Sequence, residues 1–155
     1  QILSTKVPRF GNFESRGKGI PSQKSWSISG KALVTDVPIT YLGYVNRDSG
    51  VIEEPGHPLD GETISDKILI YPKGSGSTVA PYVLMGLIYT DRGPKAIVNR
   101  DVCPLTLPAV SLLEVPYAHA FDTDPTMEIN TGDTVKMSQK DGEVIISVIT
   151  RATEV

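Results

Sequence analysis

Apolar positions recur with a period of two from Trp26 onward: Trp26, Ile28, Gly30, Ala32 and Val34 share one parity, and Ala32-Leu33-Val34 is apolar throughout. That pattern predicts a strand whose last residues are covered on both faces. Lys67–Tyr71 (Lys-Ile-Leu-Ile-Tyr) predicts a second strand. Val79–Asp91 predicts a helix, with Pro81 tolerable in its first turn and Arg92-Gly93-Pro94 ending it. Ala96-Ile97-Val98 reads as a third strand, Leu107–Glu114 as a short helix and Val115–Ala118 as a further strand. Strand and helix alternating from 67 to 118 imply a parallel βαβ element. The end of the chain changes character. Thr134–Met137 and Val144–Ile149 alternate around Lys140-Asp141-Gly142, and Asp-Gly between apolar runs predicts a hairpin. Residues 37–56 hold only short apolar runs broken by Gly43, Asn46-Arg47-Asp48-Ser49-Gly50 and Pro55-Gly56, a loop-rich stretch. Residues 1–24 show no sustained period and read as an extended arm before one domain over 25–155. The expected fold is α/β, a mixed-sheet sandwich or distorted barrel with a few helices.

Length changes little: 155 residues suit a single domain able to bury its own core. Fourteen glycines and twelve prolines fit the many turns. Charge is unevenly spread. Residues 1–24 carry Lys6, Arg9, Arg16, Lys18 and Lys24 against Glu14 alone, so this +4 arm precedes a body of −7 within a net −3. The arm lacks the dense cationic run and interleaved aromatics of a nucleic-acid binder, so it reads as a tail that lies on a partner subunit or stays loose. A single cysteine, Cys103, excludes an internal disulfide framework. No apolar stretch reaches the length of a membrane span, and no signal-peptide core is present. The expected setting is soluble, reducing and cytoplasmic, with neither nucleic acid nor membrane as partner.

Candidate chemistry concentrates in Lys73-Gly74-Ser75-Gly76-Ser77-Thr78-Val79-Ala80-Pro81-Tyr82. A strand that runs through glycines into a helix start aims several backbone N–H groups at one spot, a cradle for an anion. Gly74 and Gly76 let the backbone approach a ligand, while Ser75, Ser77 and Thr78 supply hydroxyls there. Ser77 could instead only cap the helix. His57, in Gly56-His57-Pro58-Leu59, is either a proton-transfer or substrate-positioning group or a loop histidine holding a carbonyl. His119 reads as packed in or beside a strand. Asn99 and Arg100 end a strand where α/β sheets gather ligands, and Arg100 suits either a carboxylate or a surface ion pair. Asp122-Thr123-Asp124 reads as a turn. Two histidines and one cysteine, widely spaced, make no zinc signature.

Taken in order, Ser29-Gly30-Lys31-Ala32, Tyr41-Leu42-Gly43-Tyr44-Val45, His57-Pro58-Leu59-Asp60-Gly61, Lys73-Gly74-Ser75-Gly76-Ser77-Thr78, Tyr82-Val83-Leu84 and Pro94-Lys95-Ala96-Ile97-Val98-Asn99 resemble the small, swivelling domain or subunit of aconitase X, over about residues 28–150. The resemblance implies a swivelling β/β/α domain that closes over a large catalytic subunit, and a hydro-lyase acting on a small hydroxy acid only as that complex. Gly76-Ser77-Thr78 matches part of the wider superfamily's Gly-Ser-Ser-Arg loop, which implies Ser77 as catalytic base. Gly74, Ser75, Gly76, Thr78, His57 and Asn99 are then expected around the substrate. Val79 stands where aconitases have a substrate-clamping arginine, which argues for a smaller or less anionic substrate. The resemblance also implies an iron–sulfur cluster held mainly or wholly by the large subunit, with Cys103 either reaching it or simply a buried thiol. The branch's substrates are cis-3-hydroxy-L-proline in bacteria and mevalonate 5-phosphate in archaea. The extended arm favours the first, with the second as alternative. A non-catalytic anion-binding regulatory module is the rival of another class.

Overall fold

Lys67–Tyr71 fixes the centre of the fold. Ile68, Leu69, Ile70 and Tyr71 are all fully buried, so the strand they form must be covered on both sides. The computed structural model describes residues 4–76 and 78–152. In chain order its elements are β1 (Glu14–Gly19), β2 (Trp26–Val34), β3 (Ile39–Thr40), β4 (Ile68–Tyr71), β5 (Gly74–Ser75), α1 (Ala80–Tyr89), β6 (Ala96–Asn99), α2 (Leu107–Leu112), β7 (Tyr117–His119), α3 (Pro125–Glu128), β8 (Thr134–Lys140) and β9 (Glu143–Thr150). Seven strands close a barrel in the order β1-β7-β6-β4-β2-β8-β9, and β3 pairs with β5 in a separate two-stranded sheet.

The barrel has two halves. β2, β4, β6 and β7 run parallel, while β8, β9 and β1 close it antiparallel. Alternation sorts their side chains. Ala32, Val34, Ile68, Ile70, Ala96, Val98 and Ala118 join Val135, Met137, Val144 and Ile146 in one core cluster inside the barrel. Leu33, Leu69, Ile97 and Tyr117 point outward and pack under Val83, Leu84 and Leu87 of α1 and Ala109 and Val110 of α2. The parallel half is therefore covered on both faces, which is why its strands read as unbroken apolar runs. The expected mixed α/β barrel is what forms. The hairpin also forms: Asp141 and Gly142 take φ of 53° and 79°, the two left-handed residues of a type I′ turn, and Lys140 pairs with Glu143.

The expected arm needs a correction. Residues 14–19, read as part of it, are strand β1, paired to β9 and β7. The inward positions of β1 are Ser15, Gly17 and Gly19, and the outward ones Glu14, Arg16 and Lys18. A period of two is present, but small residues fill the places that apolar ones normally mark. Space is the reason. A Cβ on Gly17 would lie 2.7 Å from the His119 carbonyl oxygen, and one on Gly19 only 1.6 Å from Gln139 Oε1. Ahead of β1, the chain is tied back to the body. Thr5 donates its N–H and hydroxyl to Asp36 at 2.7 and 3.0 Å, and Arg9 donates its N–H to Asn130 at 2.9 Å.

Candidate functional site

β4 delivers the chain to the Gly-Ser loop at the end of the parallel strands, the edge where open α/β sheets collect ligands. After Pro72 and Lys73, Gly74 and Ser75 pair in parallel with Ile39 and Thr40. Gly76 then turns the chain with a φ of +98°, and α1 starts at Ala80 after Val79 at the N-cap. Two glycines are required here for different reasons. Gly74 is buried, and a Cβ on it would press 3.3 Å from Leu105 Cβ. Gly76 is exposed, but a Cβ there would combine a disfavoured φ with a 3.1 Å approach to Thr40 Cγ2. Ser75 is half-buried in β5 and Thr78 is exposed in the turn. Ser77 lies outside the described residues. Val79 is the N-cap of α1, and the first turn of the helix carries no acidic residue, so no side-chain carboxylate there opposes the positive helix end.

Beneath the loop lies a buried polar chain that the sequence did not announce. Gly74 donates its N–H to Cys103 Sγ at 3.2 Å. Cys103 in turn donates its own N–H to the Tyr117 hydroxyl at 3.2 Å, and that hydroxyl donates to Asn99 Oδ1 at 2.8 Å. Asn99 Nδ2 reaches back to the Tyr71 carbonyl at 3.2 Å. A second branch joins the hydroxyls of Tyr41 and Tyr71 at 2.6 Å, and those of Tyr71 and Thr106 at 3.0 Å. Burial pushes Tyr71 up to about 12, against the downward pull of its hydrogen bonds to Thr106, Tyr41 and Asn99. Burial likewise raises Tyr41 and Tyr117, so all three hydroxyls stay protonated near neutral pH. This polar chain ties together the strand ends that carry the loop, and the sequence signal for it is a tyrosine at the end of β4 and another opening β7.

The expected substrate-contact residues thus divide. Gly74, Ser75, Gly76 and Thr78 are contiguous in the loop. Asn99 is fully buried below it with both amide atoms engaged. His57 is also buried: its Nε2 lies 3.0 Å from the Pro38 carbonyl, and its Nδ1 accepts the Leu59 N–H at 3.0 Å. With Nδ1 accepting from Leu59 and Nε2 placed against the Pro38 carbonyl, both ring nitrogens are used up by backbone. The contact with Pro38 steadies the approach to β3, the strand against which Gly74 and Ser75 lie. Arg100 is taken by Asp124 at 2.8 Å, and Asp124 caps α3, so the Asp-Thr-Asp turn holds protein groups. His119 ends β7, its ring centroid 5.9 Å from that of Tyr117.

Cys103 is buried and its sulfur is already an acceptor for the loop. Among the described residues, no three His, Cys, Asp or Glu side chains gather where a metal ion could sit. The donor set does not fit an iron–sulfur cluster held by this chain. A groove of about 680 Å³ runs along β1 past Lys18, His119, Asp122 and Glu143 and shares no residue with the loop. No helix among the described residues is long and apolar enough to cross a membrane.

Comparison with known proteins converges on one family. The family model for the aconitase X swivel domain matches residues 18–146. The phosphomevalonate dehydratase small subunit of Methanococcoides burtonii is 36% identical over 115 residues, covering 74% of this chain and 84% of that one. Its counterpart in Pyrococcus horikoshii is 34% identical over 131 residues, covering 84% and 93%. Among solved structures, holo-form aconitase X of Thermococcus kodakaraensis superposes with a TM-score of 0.75 at 26% identity, covering 86% of this chain and 97% of that one.

Proposed function

This chain belongs to the aconitase X swivel-domain family, and from that premise we propose that it is the small subunit of a hydro-lyase that dehydrates mevalonate 5-phosphate together with a large subunit. One observation carries the choice of substrate: relatives bearing that name match at 31–36% identity over 80–96% of their own length. The sequence alone favoured cis-3-hydroxy-L-proline, on the strength of an extended arm. That reason weakens once residues 14–19 belong to the barrel, and the relatives support the phosphorylated acid instead.

The proposed chemistry follows from the loop. Dehydrating a β-hydroxy acid requires a base for the proton beside the carboxylate and help for the departing hydroxide. Ser77 takes the proton. A serine alkoxide forms only where positive dipoles surround it, and the end of α1 together with the glycine-rich backbone supports such a setting. Gly76 keeps the turn narrow enough for backbone N–H groups to approach an anionic oxygen. Ser75 and Thr78 bind and orient the substrate, while His57 and Asn99 act as positioning residues through β3 and β4. Any iron–sulfur cluster of the complex is held mainly or wholly by the large subunit, since the single cysteine of this chain cannot hold a cluster alone.

The test is to co-purify the chain with its large subunit and measure dehydration of mevalonate 5-phosphate and of cis-3-hydroxy-L-proline. Turnover of the first and not the second is expected. Ser77→Ala should lower kcat by roughly 10²–10⁴ with KM little changed. A variant that binds substrate less well yet keeps its kcat would mark the loop as an anion-holding module and overturn the catalytic reading.

A further inference from the structure

α1 is apolar on every side, yet the chain covers only one. Its inner face, Ala80, Val83, Leu84 and Leu87, is buried against the barrel. Its outer face is Tyr82, Gly86 and Tyr89, spaced at i, i+4 and i+7; the two tyrosines are 70% and 83% exposed, and a Cβ on Gly86 would meet nothing within 4 Å. A helix apolar all round is normally covered all round. The pattern extends beyond one helix. No charged residue occurs from Gly74 to Thr90, nor from Val102 to Leu113, the segment that holds α2. Among the described residues, five of the nine exposed large apolar side chains fall in these two segments: Val79, Tyr82, Tyr89, Val102 and Leu112. In a chain that is 21% charged, so uncharged a layer has the composition of an interface core, depleted in charge and enriched in tyrosine.

We propose that the outer face of α1 and α2 is the surface on which the large subunit docks, an inference that rests on the small-subunit reading above. Topology gives the face a direction. α1 and α2 both follow strands of one parallel set, so they lie side by side with their starts at the loop end. Val79 is the N-cap of α1, and Val102 adjoins Cys103, whose sulfur holds Gly74. The apolar face therefore begins at the mouth of the Gly-Ser loop and continues away from it to Tyr89 and Leu112. A partner that completes the active site at that mouth already touches the upper end of the face. Gly86 leaves a notch between the two tyrosines into which a partner's backbone or side chain can pack. A second copy of this chain seated there would cover the loop instead of completing it, so the large subunit is the occupant.

The test uses the intact small subunit titrated with its large subunit, with the dissociation constant read by calorimetry. Tyr89→Asp and Leu112→Asp, both distant from the loop, should each weaken association about thirtyfold or more. Ile149→Asp, on the outer side of β9 across the barrel, should leave it unchanged. Thermal melts of the isolated variants should match that of the parent, which separates docking from folding. Binding of both variants within twofold of the parent overturns the proposal while leaving the function reading intact. Loss of a small-subunit homodimer in the same variants, seen by sedimentation, assigns the face to a second copy and overturns it too. If the unaltered chain shows no association with the large subunit at all, the function reading falls and this proposal falls with it.

Discussion

Tyr117→Phe tests whether the buried polar chain carries the loop. The substitution removes one oxygen atom and leaves the ring's packing in place. Two partners lose their bonds: Asn99 Oδ1, at 2.8 Å, and the Cys103 N–H, at 3.2 Å. Both residues are buried, so water cannot replace the hydroxyl. An orphaned buried polar group costs about 1–3 kcal/mol, and two orphans less the hydroxyl's own desolvation come to about 3 kcal/mol. Tyr41→Phe is the internal control. Among the described residues its hydroxyl bonds only to Tyr71, which keeps Thr106 at 3.0 Å, so the loss should be about 1 kcal/mol. For a domain of this size each kcal/mol moves Tm by about 2–4 °C. The expected drops are then about 6–12 °C for Tyr117→Phe and about 2–4 °C for Tyr41→Phe, read by calorimetry, with urea melts to confirm an unchanged m-value. Because Cys103 holds Gly74, kcat of the complex should also fall more for Tyr117→Phe than for Tyr41→Phe. Equal effects of the two variants, or a cost under about 1 kcal/mol for Tyr117→Phe, would refute the idea that this branch supports the site.

Two further perturbations probe other parts of the frame. Burial, and then the Lys18 cation, lower His119 below its ordinary 6.5, against the opposing pull of Asp101. Between the folded value and 6.5 the unfolded chain binds more protons, so stability should fall as pH drops through that window. Urea midpoints from pH 7 to 5 should show the slope in the parent and lose it in His119→Asn; an unchanged slope would assign it to other groups. Gly76→Ala forces a Cβ into a φ of +98° and to within 3.1 Å of Thr40 Cγ2, at a cost of about 1–3 kcal/mol. Since the strain sits in the loop, kcat should collapse while the barrel's melting temperature falls by about 2–12 °C; retained turnover would show that the turn tolerates another shape.

What could be read from the sequence tracks how directly each residue's job appears in its own chemistry. β4 and β6 were legible because strands covered on both faces carry near-continuous apolar runs. The hairpin was legible because Asp141-Gly142 is the turn it forms. The Gly-Ser loop was legible because its glycines and hydroxyls are local to one stretch. β1 was not, since its inward residues are Ser15, Gly17 and Gly19, chosen for lack of volume where Gln139 and Phe121 crowd the barrel wall. Apolar periodicity cannot see a strand whose buried positions are empty. His57 and Asn99 could be picked out by type but not by role. Their side chains are spent on the Pro38 and Tyr71 carbonyls, and those pairings depend on how distant segments pack.

The same distinction bears on the proposed division of the site between two chains. Among the described residues, every polar side chain found below the loop is satisfied by a neighbour, and none is left aimed at a ligand. On the proposed reading, a swivelling domain built this way contributes a rim of backbone, hydroxyls and a helix end, and the charged groups that would bind a phosphorylated acid come from its partner. It follows that truncating the rim should slow turnover, whereas weakening the tyrosine face of α1 should lower the fraction of complex formed without changing the kcat of the complex that remains. Turnover per complex measured at saturating large subunit separates the two effects, and a fall in that quantity for Tyr89→Asp would mean that the outer face also sets the geometry of the loop.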